Sequence, residues 1–217
     1  MSVLNKLFQT GALLAGLGFA LSSNAGVIYS NDFSSDTAGL TGAVDVATAA
    51  NGEKFIGFLN GGETVNLSLS GLAAHTTVTL DFDVIGLRSL DGTTNQDNFV
   101  LEVNGVQVFQ DFYGHTGNRN AGVIIGPTTG MLVSHETPSE WFGQFYGGAS
   151  IYHYSLTFVD SAAAISFDFI ANANQGWSDE AFGLDNIVVS AVPEPSSIAL
   201  IALGLLGFGA SRRRARR

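Results

Sequence analysis

Asp81 and Asp83 stand two residues apart in Thr77-Val78-Thr79-Leu80-Asp81-Phe82-Asp83-Val84, a segment whose apolar residues alternate. Alternation marks a strand, so both carboxylates lie on the face opposite Val78, Leu80, Phe82 and Val84. Same-face neighbours on a strand are roughly 6–7 Å apart, a separation that suits a glycosidase acid/base pair. Solvent-facing strands also carry alternating acids simply to stay soluble, and that plainer role is the expected one. A second oxygen-rich group is the loop Asp91-Gly92-Thr93-Thr94-Asn95-Gln96-Asp97-Asn98. Asp91 or Asp97 could hold a cation or a sugar hydroxyl there, but Asp-Gly and Asn/Asp turns satisfy their own backbone, and turn chemistry is expected. Trp141-Phe142, Phe145-Tyr146 and Trp177, which follows Asn174-Gln175-Gly176, could stack on sugar rings beside hydrogen-bonding amides. Their ordinary use is to cover the ends of a core. Other chemistries find no residues. Cysteine and G-x-S-x-G are absent, and His135-Glu136 has no second histidine four residues on. His75, His115, His135 and His153 are scattered, and no glycine-rich phosphate loop precedes a helix.

The elements that position these groups read as strands. Alternating or apolar runs occur at Val27–Phe33, Phe55–Leu59, Glu63–Leu69, Thr77–Val84, Phe99–Val103, Val106–Phe109, Tyr152–Val159, Ala164–Ile170 and Leu184–Ser190. Asn104-Gly105 between two of them predicts a tight hairpin, because both residues tolerate positive φ. Nothing between Gly26 and Val192 carries a helical stripe. Nine or ten short strands with glycine-rich turns predict a mainly β fold, an antiparallel β-sandwich. Gly114 to Gly148, broken by Pro127 and Pro138, is expected to hold long loops and one or two short strands. Ala47-Thr48-Ala49-Ala50-Asn51-Gly52 is expected to be a loop.

Both ends of the chain are signals rather than parts of this fold. Lys6, the mostly apolar run Leu7 to Leu21 and the small residues of Ser23-Asn24-Ala25 predict a signal peptide over residues 1–25, cut before Gly26 by signal peptidase. At the other end Val192-Pro193-Glu194-Pro195 precedes the apolar run Ile198 to Ala210 and the arginines Arg212, Arg213, Arg214, Arg216 and Arg217. As a helix, that run spans about 20 Å, or about 25 Å counted from Pro195 to Ser211, the low end for a ~30 Å hydrocarbon core. The arginines keep their end cytoplasmic and can reach the headgroups. The two prolines keep the preceding stretch out of a helix, extended and accessible.

Setting the signals aside changes the charge. The whole chain carries −10, but the central segment, residues 26–191, keeps only Lys54, Arg88 and Arg119 against 18 of the 19 acids, near −15. Such a surface repels nucleic acid and anionic lipid. About 167 residues can bury one core without the disulfides that an exported protein could form.

The order Val-Pro-Glu-Pro, short apolar span, arginine-rich end over residues 192–217 closely resembles the PEP-CTERM sorting signal of Gram-negative bacteria, also known as the ice-binding protein C-terminal domain. The resemblance implies export through the inner membrane and recognition of Pro-Glu-Pro by an exosortase. Release or transfer to the envelope, surface or extracellular matrix follows, in hosts that make exopolysaccharide and biofilm. No Thr-x-Thr array accompanies it. Asn31-Asp32-Phe33 at the opening, Leu90-Asp91-Gly92, Asp97-Asn98-Phe99 and Val103-Asn104-Gly105 midway, and Gly183-Leu184-Asp185-Asn186-Ile187-Val188-Val189 at the close resemble jelly-roll modules of PEP-CTERM and carbohydrate-binding proteins. That likeness implies that the first and last strands lie side by side. It further implies a structural calcium held by Asp32 and Asp185, with Asp179 and Glu180 contributing. Calcium takes six to eight oxygen ligands. The function expected is a non-catalytic binding or structural role toward polysaccharide. The alternative is a secreted polysaccharide hydrolase using paired carboxylates.

Overall fold

The computed structural model describes residues 24–92, 96–114, 119–124, 128–129, 132–136 and 149–194. In chain order the strands are β1 (Gly26–Asn31), β2 (Leu40–Gly42), β3 (Val46–Thr48), β4 (Lys54–Leu59), β5 (Glu63–Ser70), β6 (His75–Arg88) and β7 (Asn98–Val103). They continue as β8 (Val106–Tyr113), β9 (Arg119–Ile124), β10 (Thr128–Thr129), β11 (Leu132–Glu136), β12 (Ala149–Val159), β13 (Ala164–Asn172) and β14 (Glu180–Pro193). One sheet runs β10-β12-β6-β14-β4-β3, with β1 also on β14 and β11 also on β12; the other runs β2-β5-β13-β7-β8-β9. The pairings are antiparallel, as a sandwich built from hairpins and crossovers requires. Among the described residues there is no α-helix.

The alternation of β6 sorts its side chains. Val78, Leu80, Phe82 and Val84 are fully buried between the sheets. Phe82 meets Tyr154 and Phe169 at 5.4 Å and Phe109 at 6.1 Å between ring centroids. Each such ring contributes roughly 1.5–3 kcal/mol by leaving water. One carboxylate enters this core: Asp111 accepts hydrogen bonds from the Tyr154 hydroxyl (2.7 Å) and the Phe112 N–H (3.0 Å).

A smaller core covers the outer face of the eight-stranded sheet, built from Phe55, Ile85, Leu87, Ala149 and Ala181. Phe55 lies flat over Gly57 and Gly183. A Cβ at Gly57 would stand 2.2 Å from the ring, and one at Gly183 would stand 2.7 Å from it, so only glycine fits under the aromatic.

The hairpin forms as expected: β7 joins β8 through Asn104 (φ 52°) and Gly105 (φ 74°). Other boundaries differ. β2 and β3 appear where no strand was expected, β3 within the supposed loop at Ala47–Gly52. Each is a three-residue strip recruited by its neighbour, β5 or β4, and too short to show a period of its own. β1 stops at Asn31, whose Oδ1 accepts the Phe33 N–H (2.8 Å) and turns the chain so that Phe33, at φ 53°, is buried.

The segment Ala25–Pro193 is one compact unit. β14 reaches further than the sequence suggests: Val192 pairs with Thr77 and Pro193 with His75, while Gly26 pairs with Ala191. Val192-Pro193, expected to be an extended approach to the tail, is therefore extended because it closes the sheet. Pro193 and Glu194 are exposed. The signal run, Pro195, the apolar run and the five arginines lie outside the described residues.

Candidate functional site

Trp177 stands on the turn between β13 and β14 with 58% of its surface exposed. Its ring centroid lies 6.0 Å from that of Phe58. Arg88 spans both, its guanidinium carbon 5.1 Å from the Phe58 centroid and 5.7 Å from that of Trp177. Cation–π contact of this kind stabilises an exposed ring by roughly 0.5–1 kcal/mol. The rings border a groove of about 360 Å³ that also touches Ala43, Asp45, Val46 and Glu63.

The loop carrying Trp177 is tied down at many points. Gly61 N–H donates to the Ala173 carbonyl (3.0 Å) and Asn60 Nδ2 to the Gln175 carbonyl (3.2 Å). Ser89 donates from its N–H to the Asp179 carbonyl (3.0 Å) and from its hydroxyl to Asp179 Oδ1 (2.8 Å). Arg88 donates to the Ser178 carbonyl. Asn174 N–H donates to Asp97 Oδ1 (3.3 Å). Gln175 donates to Glu180 from its N–H (3.1 Å) and its side chain (2.9 Å). An aromatic fixed this way presents its face without a large ordering cost.

Asp97 and Glu180 form the base of that loop. Both are fully buried, and their carboxyl groups lie within hydrogen-bond reach of each other. Burial first, then the Asp97 charge, pushes Glu180 up to about 7 against the opposing Gln175 N–H donor. Burial likewise raises Asp97, whose carboxylate accepts the Asp91 and Asn174 N–H groups. Two carboxyls buried together disfavour ionising both at once, the arrangement in which one proton can be shared between them. In the described part of the Asp91–Asn98 loop, Asp97 is buried and spent on backbone bonds, accepting the Asp91 N–H and donating its own N–H to the Gly92 carbonyl (3.0 Å).

Asp185 and Asp32 lie at a different place, at the seam between β1 and β4. β14 bulges between Asp185 and Val188, with Asn186 at φ 50°. On one side of β14, β4 pairs with residues up to Leu184 and β1 begins opposite Ile187. The bulge therefore sits at the seam between two strands, where Asp32 leaves β1 and Glu53 enters β4. Asp185 is buried and raised to about 7, first by that burial and then by Glu53, Asp83 and Asp32, against a stabilising Asn186 N–H (2.7 Å). Asp83 is occupied by His153 (2.5 Å) and Asn186 Nδ2 (2.7 Å). Asp32 is exposed and held low by its Ser34 hydrogen bonds.

The four residues named for calcium thus divide into two places. Glu180 and Asp185 are five residues apart on one strand, about 16 Å at ~3.3 Å per residue. Among the described residues no three carboxylates or histidines are placed to hold one ion. Asp32 and Glu53, whose charges act on Asp185, are both exposed. Glu53 and Asp83 had no signal in the sequence, since only the bulge brings them to the seam. The aromatics at 141–146 lie outside the described residues.

The end of the chain supplies the address. Residues 191–214 match the family model described as the PEP-CTERM protein-sorting motif. The chain carries a PEP-CTERM sorting motif. The motif implies exosortase processing and indicates an exported protein of the envelope or surface of a Gram-negative bacterium. No curated protein matches the chain. Among solved structures the PEP-CTERM chain is similar to a family 35 carbohydrate-binding module from an environmental isolate: 14% identity, 77% of this chain and 100% of that one, TM-score 0.40. It is similar to the CBM22-1 xylan-binding domain of Paenibacillus barcinonensis Xyn10C: 14% identity, 79% and 98% covered, TM-score 0.41. A third is the C-terminal CBM6 of LamC, a marine laminarinase from Zobellia galactanivorans: 14% identity, 76% and 92% covered, TM-score 0.35.

Proposed function

We propose that this is an exported, non-catalytic polysaccharide-binding protein of the envelope or extracellular matrix, delivered by its PEP-CTERM motif and holding glycan at the Trp177 groove. In this reading signal peptidase cuts before Gly26, and the C-terminal helix sits in the inner membrane only until an exosortase acts. The mature protein then works in exopolysaccharide or biofilm. The observation that carries the binding role is the exposed Trp177 face, braced by Phe58 and Arg88 beside a groove. A core-filling tryptophan would be buried. Charge supports the rest, because an acidic surface disfavours nucleic acid.

Trp177→Ala is expected to weaken retention on a polysaccharide by roughly thirtyfold, the effect of losing about 2 kcal/mol at a hot spot. Affinity electrophoresis of the Gly26–Pro193 segment through gels containing soluble polysaccharides reads this directly. Equal retardation of wild type and variant would remove the groove as the site.

A second reading, a polysaccharide hydrolase, is favoured by one observation: Asp45 and Glu63 line the same groove. Both stand in open solvent, and Glu63 accepts the Asn60 N–H (3.1 Å) as a turn brace. Asp83 and the Asp97–Glu180 pair serve structural bonds instead. Release of reducing ends that Asp45→Asn and Glu63→Gln abolish would favour the hydrolase.

Calcium is proposed at the seam of Asp185, Asp32, Glu53 and Asp83, not at Asp179 and Glu180. An ion there would relieve the repulsion among four acids. Millimolar calcium is expected to raise the melting temperature of Gly26–Pro193 by a few degrees relative to EDTA, and Asp185→Asn to abolish that rise. No difference between calcium and EDTA would withdraw the ion.

A further inference from the structure

The outer face of the six-stranded sheet carries a second recess, an open trough of about 540 Å³. β7, β8 and β13 supply Asn98, Gln107, Gln110 and Asn172; Gln96 and Asn174 stand at its rim, and Val100 also lines it. Among the described residues no charged side chain lines it, although the segment as a whole is near −15. The acids of this face lie just beyond its end: Glu102 stands opposite Asp168 on β13 and Gln107 on β8, and Asp168 is engaged by Asn66 (2.7 Å).

The amides orient one another. Asn172 Nδ2 donates to Asn98 Oδ1 (3.0 Å), Asn98 Nδ2 to the Gln96 carbonyl (2.5 Å), and Gln107 Nε2 to Gln110 Oε1 (3.4 Å). Each link uses one end of an amide. Among the described residues no hydrogen bond takes up Asn172 Oδ1 or Gln110 Nε2, an acceptor and a donor on one half-buried surface. A surface that offers both donors and acceptors, without charge, matches hydroxyl groups, each of which gives one hydrogen bond and accepts others.

We propose that this trough is a second binding site, specific for a neutral, hydroxyl-rich polysaccharide chain. An anionic glycan would find no cation in it and would meet the negative field of the whole domain. The trough and the Trp177 groove are separate recesses that flank the β4–β5 turn. Gly61 and Gly62 of that turn border the trough, and Glu63, the first residue of β5, borders the groove. One protein can therefore bridge two polysaccharide chains, a consequence that also rests on the Trp177 reading.

The test uses the full chain in mild detergent. Affinity electrophoresis is run against dextran, hydroxyethylcellulose, galactomannan and xylan as neutral probes, and against alginate as the anionic one. Gln110→Ala with Asn172→Ala is expected to weaken retardation by a neutral probe about tenfold, the loss of one to two hydrogen bonds, with the thermal melt unchanged. If Asn172→Ala loosens the Asn98 link, Gln107→Ala with Gln110→Ala serves in its place, because those two amides bond only each other among the described residues. Trp177→Ala is run in parallel. A loss in the amide variants that persists on a Trp177→Ala background supports the trough. A loss with Trp177→Ala alone keeps the groove and overturns the trough. A loss in the amide variants alone keeps the trough and removes the groove. Binding to alginate but to none of the neutral probes, or to no probe at all, overturns the trough.

Discussion

A chain bearing Glu194→Ala and Pro195→Ala is expected to stay in the membrane fraction while the wild type is released. Both changes lie beyond Pro193, the last residue paired in β14. They leave the sandwich untouched, so the melting temperature of the folded segment should not move. They also leave the apolar run and five arginines in place, and those alone must then hold the chain. The effect is close to all-or-none, because a covalent cut either occurs or does not. Immunoblots of membrane and medium, with a mass shift marking the uncut form, decide it. Wild-type release by this double variant would show that the Pro-Glu-Pro element is not what the processing enzyme reads. The structure adds a constraint: no linker separates the sheet from the motif, so the enzyme must work against the wall of a folded domain.

The second large effect is on stability against pH. Glu180 and Asp185 are raised to about 7, and Asp97 is raised with them. A carboxyl whose folded value exceeds its unfolded one binds a proton more readily in the folded state. Its contribution is therefore full below the unfolded values near 4 and is lost as pH climbs to about 7. In EDTA the sandwich should melt highest in mild acid and lose stability steadily from about pH 4 to pH 7. Above pH 7 the ionised, buried Glu180 and Asp185 weigh on the folded state in full. Glu180→Gln keeps an acceptor for Gln175 and supplies a permanent donor toward Asp97. At pH 8 it is expected to raise the melting temperature by roughly 5 °C or more, and at pH 4 to change it little. Calorimetry at the two pH values is the measurement. Destabilisation by Glu180→Gln at pH 8 would contradict a shared proton in the brace.

Strand-forming segments were legible where one face is buried and the other is not. Val78, Leu80, Phe82 and Val84 announced β6, and Asn104-Gly105 announced the β7–β8 hairpin, because alternation and positive φ are local properties. The short strands β2, β3, β9, β10 and β11 were not individually legible. They pair at the edges of the sheets, and a neighbour's free edge leaves no mark on so short a sequence. The site was legible in part. Trp177 was named among the aromatics, but only its exposure separates a platform from a core filler. Asp32 and Asp185 were placed together through a resemblance, whereas Glu53 and Asp83 join them only through a bulge at a seam. Asp97 and Glu180 are distant in sequence, and no spacing rule pairs them. The amide trough was invisible for the same reason, since its residues come from three strands and each is an ordinary polar residue on an outward face.

β14 has one more consequence, in mechanics. It is the strand that leads to the tail, and it lies inside its sheet, bonded to β6 along one side and to β4 and β1 along the other. A pull on its C-terminal end, along its own axis, loads both ladders in shear. The bonds share the force and must fail together. Had the tail continued from an edge strand, the same pull would peel bonds one at a time. A pull on the C-terminal end of the sandwich is thus resisted by a strand bonded on both sides.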